Sequence, residues 1–299
     1  MSRVTLGCLV LVWLVITPTP SFGQVVLAGT ESLSFDRPEA WAMKYFASLS
    51  LMTGMGPALS SEAGSIDLGI ELGSVPSLSL RERTVGFNGT KSEDINRTPL
   101  FGRLRAAFGL PGQFILEASY LPPIDISGVE PDLFALALAR PLTRSSAWRT
   151  GVRLTMLYGS YSGDFTCSAD EIANGPNEFQ CEQPSRDEIT LRSAGLEFQV
   201  ARSARAGSRL EPYFGVAVHL MDLDFQVKAE YLGLIDQSRL VTDGTTFSAS
   251  LGLAYRTRGG LRWAGELFYS PLDVVRPPST TTENDALFNV RVLLTYRLR

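Results

Sequence analysis

Apolar and polar residues alternate strictly along residues 286–299, the last stretch of the chain. Every second residue from Phe288 to Leu298 is apolar, and the positions between include Asn289, Arg291 and Arg297. Such alternation is typical of a β-strand with two different faces. Strands of soluble sheets average about five or six residues, whereas a strand that crosses a bilayer within a barrel needs roughly 9–11. The pattern therefore predicts a membrane-crossing strand.

The same rhythm recurs along most of the chain. Apolar residues such as Ile66, Leu68, Ile70 and Leu72 alternate with small or polar ones, and Gly- or Pro-containing segments separate the alternating stretches. The pattern predicts an all-β chain with further strands at 65–73, 100–108, 114–121, 133–140, 149–161, 188–200, 211–225, 245–255 and 261–269.

The connections between these predicted strands also alternate, between short and long. Short ones lie at 109–113, 142–147, 203–209 and 256–260, and long ones at about 78–99, 162–187, 227–243 and 271–285. Short periplasmic turns and long extracellular loops are the asymmetry of outer-membrane barrels. A soluble β-sandwich has no physical reason for this asymmetry.

The sequence resembles the broad, porin-like class of bacterial outer-membrane β-barrel proteins on these two patterns. The resemblance implies a single antiparallel up-and-down barrel in the cell outer membrane, in contact with its lipid and lipopolysaccharide. It also implies that the barrel-assembly machinery reads residues 286–299. In that class the last residue is usually aromatic, whereas this chain ends in Leu298 and Arg299. The oligomeric state stays open.

The number of strands depends on the start of the chain. Residues 44–53 alternate and predict a strand, although an even strand count then requires another strand before it. Residues 24–35 could supply that strand, which gives the favoured twelve. If residues 44–53 are not a strand, the barrel has ten.

Residues 1–23 have the parts of a cleaved signal peptide, which leaves residues 24–299 as the barrel. Arg3 is the positive end, residues 4–16 are the apolar run, and Ser21 and Gly23 are small residues before the predicted cleavage site. Beyond this segment no apolar run is long enough for a helical span, although the chain is 44% hydrophobic. The net charge of −4 gives no reason to expect nucleic acid as a partner.

Two cysteines remain after the predicted cleavage, Cys167 and Cys181. In an exported protein such a pair predicts one disulfide bond. The hairpin register that pairs Leu154 with Leu196 brings the two cysteines almost opposite each other. We therefore predict a disulfide within the loop at 162–187.

Catalytic and cofactor chemistry is weakly represented. His219 is predicted to face the lumen beside Asp222 or Asp224, which would permit an outer-membrane hydrolase as a distant third function. No serine lies within its strand, and a hydrolase needs its nucleophile within reach of its base. A serine on a neighbouring strand stays possible. No phosphate-binding glycine loop or Cys/His metal pattern occurs, so we expect no enzyme, cofactor or metal.

The inward face is predicted to carry charges of both signs in similar numbers. A selective pore is lined by one sign, whereas mixed charges either pair and fill the interior or line a weakly selective channel. The favoured function is a passive channel for small solutes, and the alternative is a plugged barrel that acts through its extracellular loops. The predicted lumen-facing charges are Asp67, Glu71, Arg103, Arg105, Glu117, Arg153, Glu197, Glu266, Arg291 and Arg297.

Overall fold

Ten antiparallel strands close into a barrel in the computed structural model, which describes residues 25–56, 62–144, 148–202, 209–257 and 259–298. Each strand pairs with the next, and the last pairs with the first. The predicted signal peptide at 1–23 lies outside the described residues, as do parts of the turns at 142–147, 203–209 and 256–260. The strands are β1 (Ile66–Ser74), β2 (Leu100–Gly109), β3 (Ile115–Leu121), β4 (Val129–Arg144), β5 (Trp148–Gly163), β6 (Asp187–Arg202), β7 (Leu210–Gln226), β8 (Leu234–Arg256), β9 (Leu261–Ser270) and β10 (Leu287–Arg297).

The outer face of the barrel is an apolar belt. Along β10 the outward residues Phe288, Val290, Val292 and Leu294 are about half exposed, whereas Arg291 between them is buried. Exposed aromatic rings lie near both edges of the belt, where side chains with an apolar body suit a membrane interface. They include Tyr120, Phe134, Tyr158, Phe247 and Phe288 toward one edge and Trp148, Trp263 and Tyr296 toward the other.

The predicted alternation of short and long connections defines two different ends of the barrel. We call the end with the long connections the loop end and the opposite one the turn end. The long β8 extends past the belt at the loop end, and it begins at Leu234. The loop predicted at 227–243 is therefore mostly strand, because the β7–β8 hairpin continues beyond the membrane-crossing part with polar outward residues.

The favoured count of twelve strands is wrong, and the ten-strand alternative is correct. The strand Val25–Ser32 exists, but it pairs in parallel with Leu234–Val241 of β8 at the loop end and is not part of the closed ring. The second predicted strand, at 44–53, is replaced by a helix, α1 (Pro38–Ser50).

Helix α1 forms because its local signals are those of a buried helix. Pro38 stands in the first turn, where its missing N–H costs no hydrogen bond, and Glu39 complements the positive end of the helix dipole. All of its residues except Ala42 are buried. A helix that is surrounded on all sides carries apolar residues on every face. Apolar residues at many successive positions of α1 gave the alternating pattern from which a strand was predicted at 44–53.

Short elements fold the long connections into an outer layer at the loop end. Two-stranded ladders join Thr84–Val85 to Lys91–Ser92 and Asp273–Val274 to Glu283–Asn284, and Cys181–Gln183 pairs with Ala229–Tyr231. Helical turns lie at Leu80–Arg83, Gly86–Gly89 and Ala169–Asn174, and a 3-10 turn at Pro111–Gln113 joins β2 to β3. Within the described ranges, no helix has the length and apolar character needed to cross a bilayer.

Candidate functional site

Helix α1 lies inside the barrel and enters it from the loop end. At its start, Trp41 donates a hydrogen bond to the carbonyl of Asp285 in a loop-end segment, and Lys44 donates to the carbonyl of Asp273 at 2.6 Å. Further along, Ser50 is hydrogen-bonded to Tyr161 on the inner face of β5 at 2.8 Å. The helix therefore fills the loop-end half of the lumen.

Two arginines of the barrel wall hold the C-terminal end of α1. Arg291 of β10 donates to the carbonyl of Leu51 at 2.7 Å and to that of Ser48 at 3.3 Å, and Arg103 of β2 donates to the carbonyl of Ser50 at 2.8 Å. The last carbonyls of a helix have no partner within it and form its negative end. Because α1 has no basic residue in its last turn, the wall supplies the positive charge.

The chain continues toward the turn end and is bound there as well. Arg105 donates to the carbonyl of Thr53 at 2.9 Å, and the Thr53 hydroxyl donates to Glu266 at 2.6 Å. At Gly54 a Cβ atom would lie 1.9 Å from a guanidinium nitrogen of Arg153. Any residue other than glycine at position 54 would displace the Arg153 side chain. The segment that follows α1 is therefore closely packed against the buried charges.

Five charged side chains form a continuous chain of ion pairs across the inner wall. Arg105 contacts Glu71 at 2.7 Å and Glu117 at 3.2 Å, and Arg153 contacts Glu117 at 2.9 Å and Glu197 at 2.6 Å. All five are at least nine-tenths buried. The two signs therefore pair with each other inside the barrel.

The other predicted lumen-facing charges have different environments. Arg103 contacts Glu71 at 3.2 Å. Glu266 stands opposite Arg291 in the β9–β10 register, but it accepts hydrogen bonds from Thr53 and, at 3.1 Å, from Tyr213. Asp67 and Arg297 form a partly exposed ion pair at 2.7 Å near the turn end.

His219 lies on the inner face of β7, but the prediction that Asp222 or Asp224 lies beside it is wrong. Strand alternation places even-numbered residues of β7 outward, where Asp222 pairs with Arg192 and Asp224 with Arg239. His219 is instead hydrogen-bonded through Nε2 to Ser248 of the neighbouring strand at 3.0 Å. Its Nδ1 has no hydrogen-bond partner among the described atoms, so the Ser248–His219 pair lacks the third group that orients the histidine in a Ser-His-Asp triad.

A disulfide bond joins Cys167 and Cys181 in the outer layer, as predicted, with their Cα atoms 5.7 Å apart. Beside it, the ammonium of Lys91 donates to Glu93 and to the carbonyl of Thr166, both at 2.5 Å. Burial raises the pKa of Glu93 to about 8, and although Lys91 opposes this shift, the carboxylates of Asp187 and Glu171 add to it. The outer layer is therefore tied together covalently and by buried charges.

A plugged lumen was one of the two alternatives from sequence, but the sequence predictions missed the helix that occupies it and the role of the arginines that bind this helix. Pro38 followed by Glu39, with Ala, Met, Lys and Leu after them, was an available signal for α1. Nothing local indicated that Arg103 and Arg291 would bind helix carbonyls. Among the residues that the structure describes, no group of His, Cys, Asp or Glu side chains is arranged to hold a metal ion.

A closed antiparallel barrel satisfies all of its backbone hydrogen bonds between strands, so it can place its apolar belt in lipid. The chain is a bacterial outer-membrane β-barrel protein, located in the outer membrane. No protein-family model matches the sequence, and no curated protein matches it either.

Solved structures similar to this chain are barrels of varied function. The attachment invasion locus protein Ail of Yersinia pestis is 12% identical, with a TM-score of 0.32 over 79% of this chain and 100% of its own. The outer membrane protease OmpT of Escherichia coli is 10% identical, with a TM-score of 0.39 over 79% and 94%. The toluene transporter TodX of Pseudomonas putida is 9% identical, with a TM-score of 0.31 over 80% and 69%. These similarities extend to the fold alone.

Proposed function

We propose that this protein is a plugged outer-membrane barrel that acts at the cell surface through its outer layer and does not serve as a passive channel or an enzyme. The observation that carries the proposal is the occupied lumen, in which Arg103 and Arg291 bind the end of α1. The open-channel function favoured from sequence requires a continuous water-filled path. The alternative of a plugged barrel agrees better with the buried ion pairs.

The outer layer supports the second half of the proposal. By the rule that long loops are extracellular, the loop end faces outward. Its segments are held by the Cys167–Cys181 disulfide and by the buried Lys91. A surface that is ordered before it binds a partner loses less conformational entropy on binding. This favours a binding role over a purely structural one.

Planar-bilayer recordings test the proposal. Folded wild-type protein, identified by its shifted gel band before heating, is expected to insert without stepwise ion currents. A general porin added to the same bilayer serves as the positive control. Reproducible single-channel steps from the folded wild-type protein would overturn the proposal of a plugged barrel.

A further inference from the structure

An apolar cavity of about 240 Å³ lies at the loop end, between α1 and the barrel wall. The helix contributes Tyr45, Phe46 and Leu49 to its lining, and the wall contributes residues such as Leu121 and Val129. We call this cavity the side pocket. It lies beside α1, which we call the plug, and none of the five paired charges from Glu71 to Glu197 lines it.

The side pocket exists because one strand of the wall is short. The β2–β3 ladder ends at the pair Leu104 and Tyr120, whereas the β4–β5 ladder continues to Val129. Residues 100–103 of β2 therefore have no ladder partner on the β3 side among the described residues. Pro122 and Pro123 follow β3 directly, and because proline has no N–H to donate they end the strand there.

The polar groups around the side pocket are already bound to protein. Arg97 closes its loop-end side by contacting Asp164 at 2.8 Å and donating to the carbonyl of Ser127 at 3.3 Å. Tyr45 donates to the carbonyl of Pro76 at 3.0 Å, and Tyr161 is hydrogen-bonded to Ser50. A polar ligand would find no free partner among these groups, so the lining favours an apolar one.

The mouth of the side pocket opens above the apolar belt. Leu100, Ile124 and Ile126 at the mouth are 55%, 60% and 40% exposed. The neighbouring outward residues of β4, Glu130 and Asp132, are exposed carboxylates. Exposed carboxylates lie on the aqueous side of a membrane interface. The mouth beside Glu130 and Asp132 is therefore open to molecules that arrive from the external solution and not to the lipid chains.

We propose that the side pocket binds a small uncharged apolar molecule, about the size of one substituted aromatic ring, that arrives from the external side. A dry apolar cavity of roughly 150 Å³ holds benzene, so the larger volume here leaves room for a short substituent. The ligand contacts Phe46 and Leu49 directly and thus rests on the plug. This site is independent of the proposed surface role.

Photolabelling of the protein in liposomes tests the site. The free probe is 3-trifluoromethyl-3-phenyldiazirine, a single apolar ring, and toluene is the competitor. Labelled peptides are identified by mass spectrometry. We expect label on the peptides that contain residues 45–49, 95–102 and 121–131, and we expect excess toluene to remove that label. Label on the lipid-facing belt should persist, because binding there does not saturate.

Two variants and a second probe make the test specific. Ile126→Asp places a charge at the exposed mouth and should reduce the competed label roughly tenfold. Leu232→Asp, at another exposed leucine of the outer layer, should leave it unchanged. A phospholipid that carries the diazirine on its acyl chain should label the belt and not the side pocket. Uncompeted label, no effect of Ile126→Asp, or side-pocket label from the phospholipid probe would each overturn the proposal.

Discussion

Arg291 Nη1 lies 2.7 Å from the carbonyl oxygen of Leu51, although 240 residues separate the two along the chain. The arginine stands on the last strand of the barrel and the carbonyl follows the helix that precedes the first strand. This contact joins the plug to the wall at the seam where β10 pairs with β1. Closing the barrel and fixing the plug therefore depend on the same part of the molecule.

Replacing Arg291 should weaken the plugged barrel. Arg291→Gln removes hydrogen bonds from a fully buried cation to the carbonyls of Leu51 and Ser48, and bonds of this type contribute about 1.5–3 kcal/mol each. The temperature at which the folded gel band disappears should fall clearly. Arg297→Gln on the same strand, at a partly exposed ion pair, is the matched control and should shift that temperature little. Equal shifts for the two variants would contradict the anchoring role of Arg291.

The buried ion pairs predict a large cost for removing one carboxylate. Glu197→Gln neutralises one of the two carboxylates that contact Arg153 in the closed interior, at 2.6 Å, while Glu117 remains at 2.9 Å. A buried hydrogen bond to a charged group contributes about 1.5–3 kcal/mol. The control Asp67→Asn breaks a partly exposed pair, which contributes about 0–1 kcal/mol. Urea unfolding of the two variants in detergent measures both. A stability loss below about 1 kcal/mol for Glu197→Gln would indicate a water-filled lumen.

The disulfide should stabilise the outer layer more than the barrel. It closes a loop of sequence separation 14, for which the chain-entropy model gives about 3 kcal/mol. Replacing both Cys167 and Cys181 with serine should speed trypsin cleavage after the exposed Arg186 while the shifted gel band persists. Arg186 follows Ser185, which is hydrogen-bonded to Cys167, whereas cleavage after the exposed Arg81, far from the disulfide in sequence, should keep its rate. Unchanged cleavage at Arg186 would show that other contacts hold the layer.

Glu93 predicts that the outer layer is less stable at high pH. Burial raises its pKa to about 8 in the folded protein, above about 4.3 for an unfolded chain. The folded state therefore binds the proton of Glu93 more tightly than the unfolded chain does. The resulting contribution to the free energy of unfolding is fully present below about pH 4.3 and is lost as the pH rises toward 8.

The variant Glu93→Gln mimics the protonated side chain and isolates this effect. Its thermal midpoint should lie close to that of the wild type at pH 4 and should exceed it increasingly as the pH rises to 9, by more than the roughly 2–4 °C that 1 kcal/mol gives in a large domain. Circular dichroism at both pH values provides the measurement. A wild-type midpoint that equals or exceeds that of the variant at pH 9 would show that Glu93 is already ionised in the folded protein.

The membrane-crossing strands could be predicted from sequence because their alternation is a local property. Val290 faces the lipid and its neighbour Arg291 faces the lumen. The apolar or charged character of each side chain indicates which face of the barrel it occupies. The disulfide was predictable for a similar reason, since the hairpin register places Cys167 almost opposite Cys181. These features need only the strand period and the pairing of adjacent strands.

The plug could not be predicted in the same way because its environment is set by distant residues. Lys44 and Tyr45, which would lie on the two sides of an apparent strand, are both buried, since the barrel wall and the loop-end segments surround α1. The positive charge at the helix end comes from Arg103 and Arg291, which also fit a channel lining by their local pattern. The side pocket exists because β3 is shorter than β4. A sequence pattern does not place the end of a strand to within one or two residues, so this difference in length could not be predicted.

Crosslinking α1 to the wall tests the plugged lumen most directly. The hydroxyl oxygens of Ser48 on α1 and Ser270 at the end of β9 lie 3.4 Å apart and are fully buried. The double variant Ser48→Cys and Ser270→Cys should form a second disulfide in the folded protein, and peptide mass mapping should join the two positions. Ser48→Cys with Ser162→Cys, on the exposed outer face of β5, is the control and should leave two thiols that alkylate after unfolding. Free thiols at both 48 and 270 in folded protein would contradict the central claim that α1 occupies the barrel.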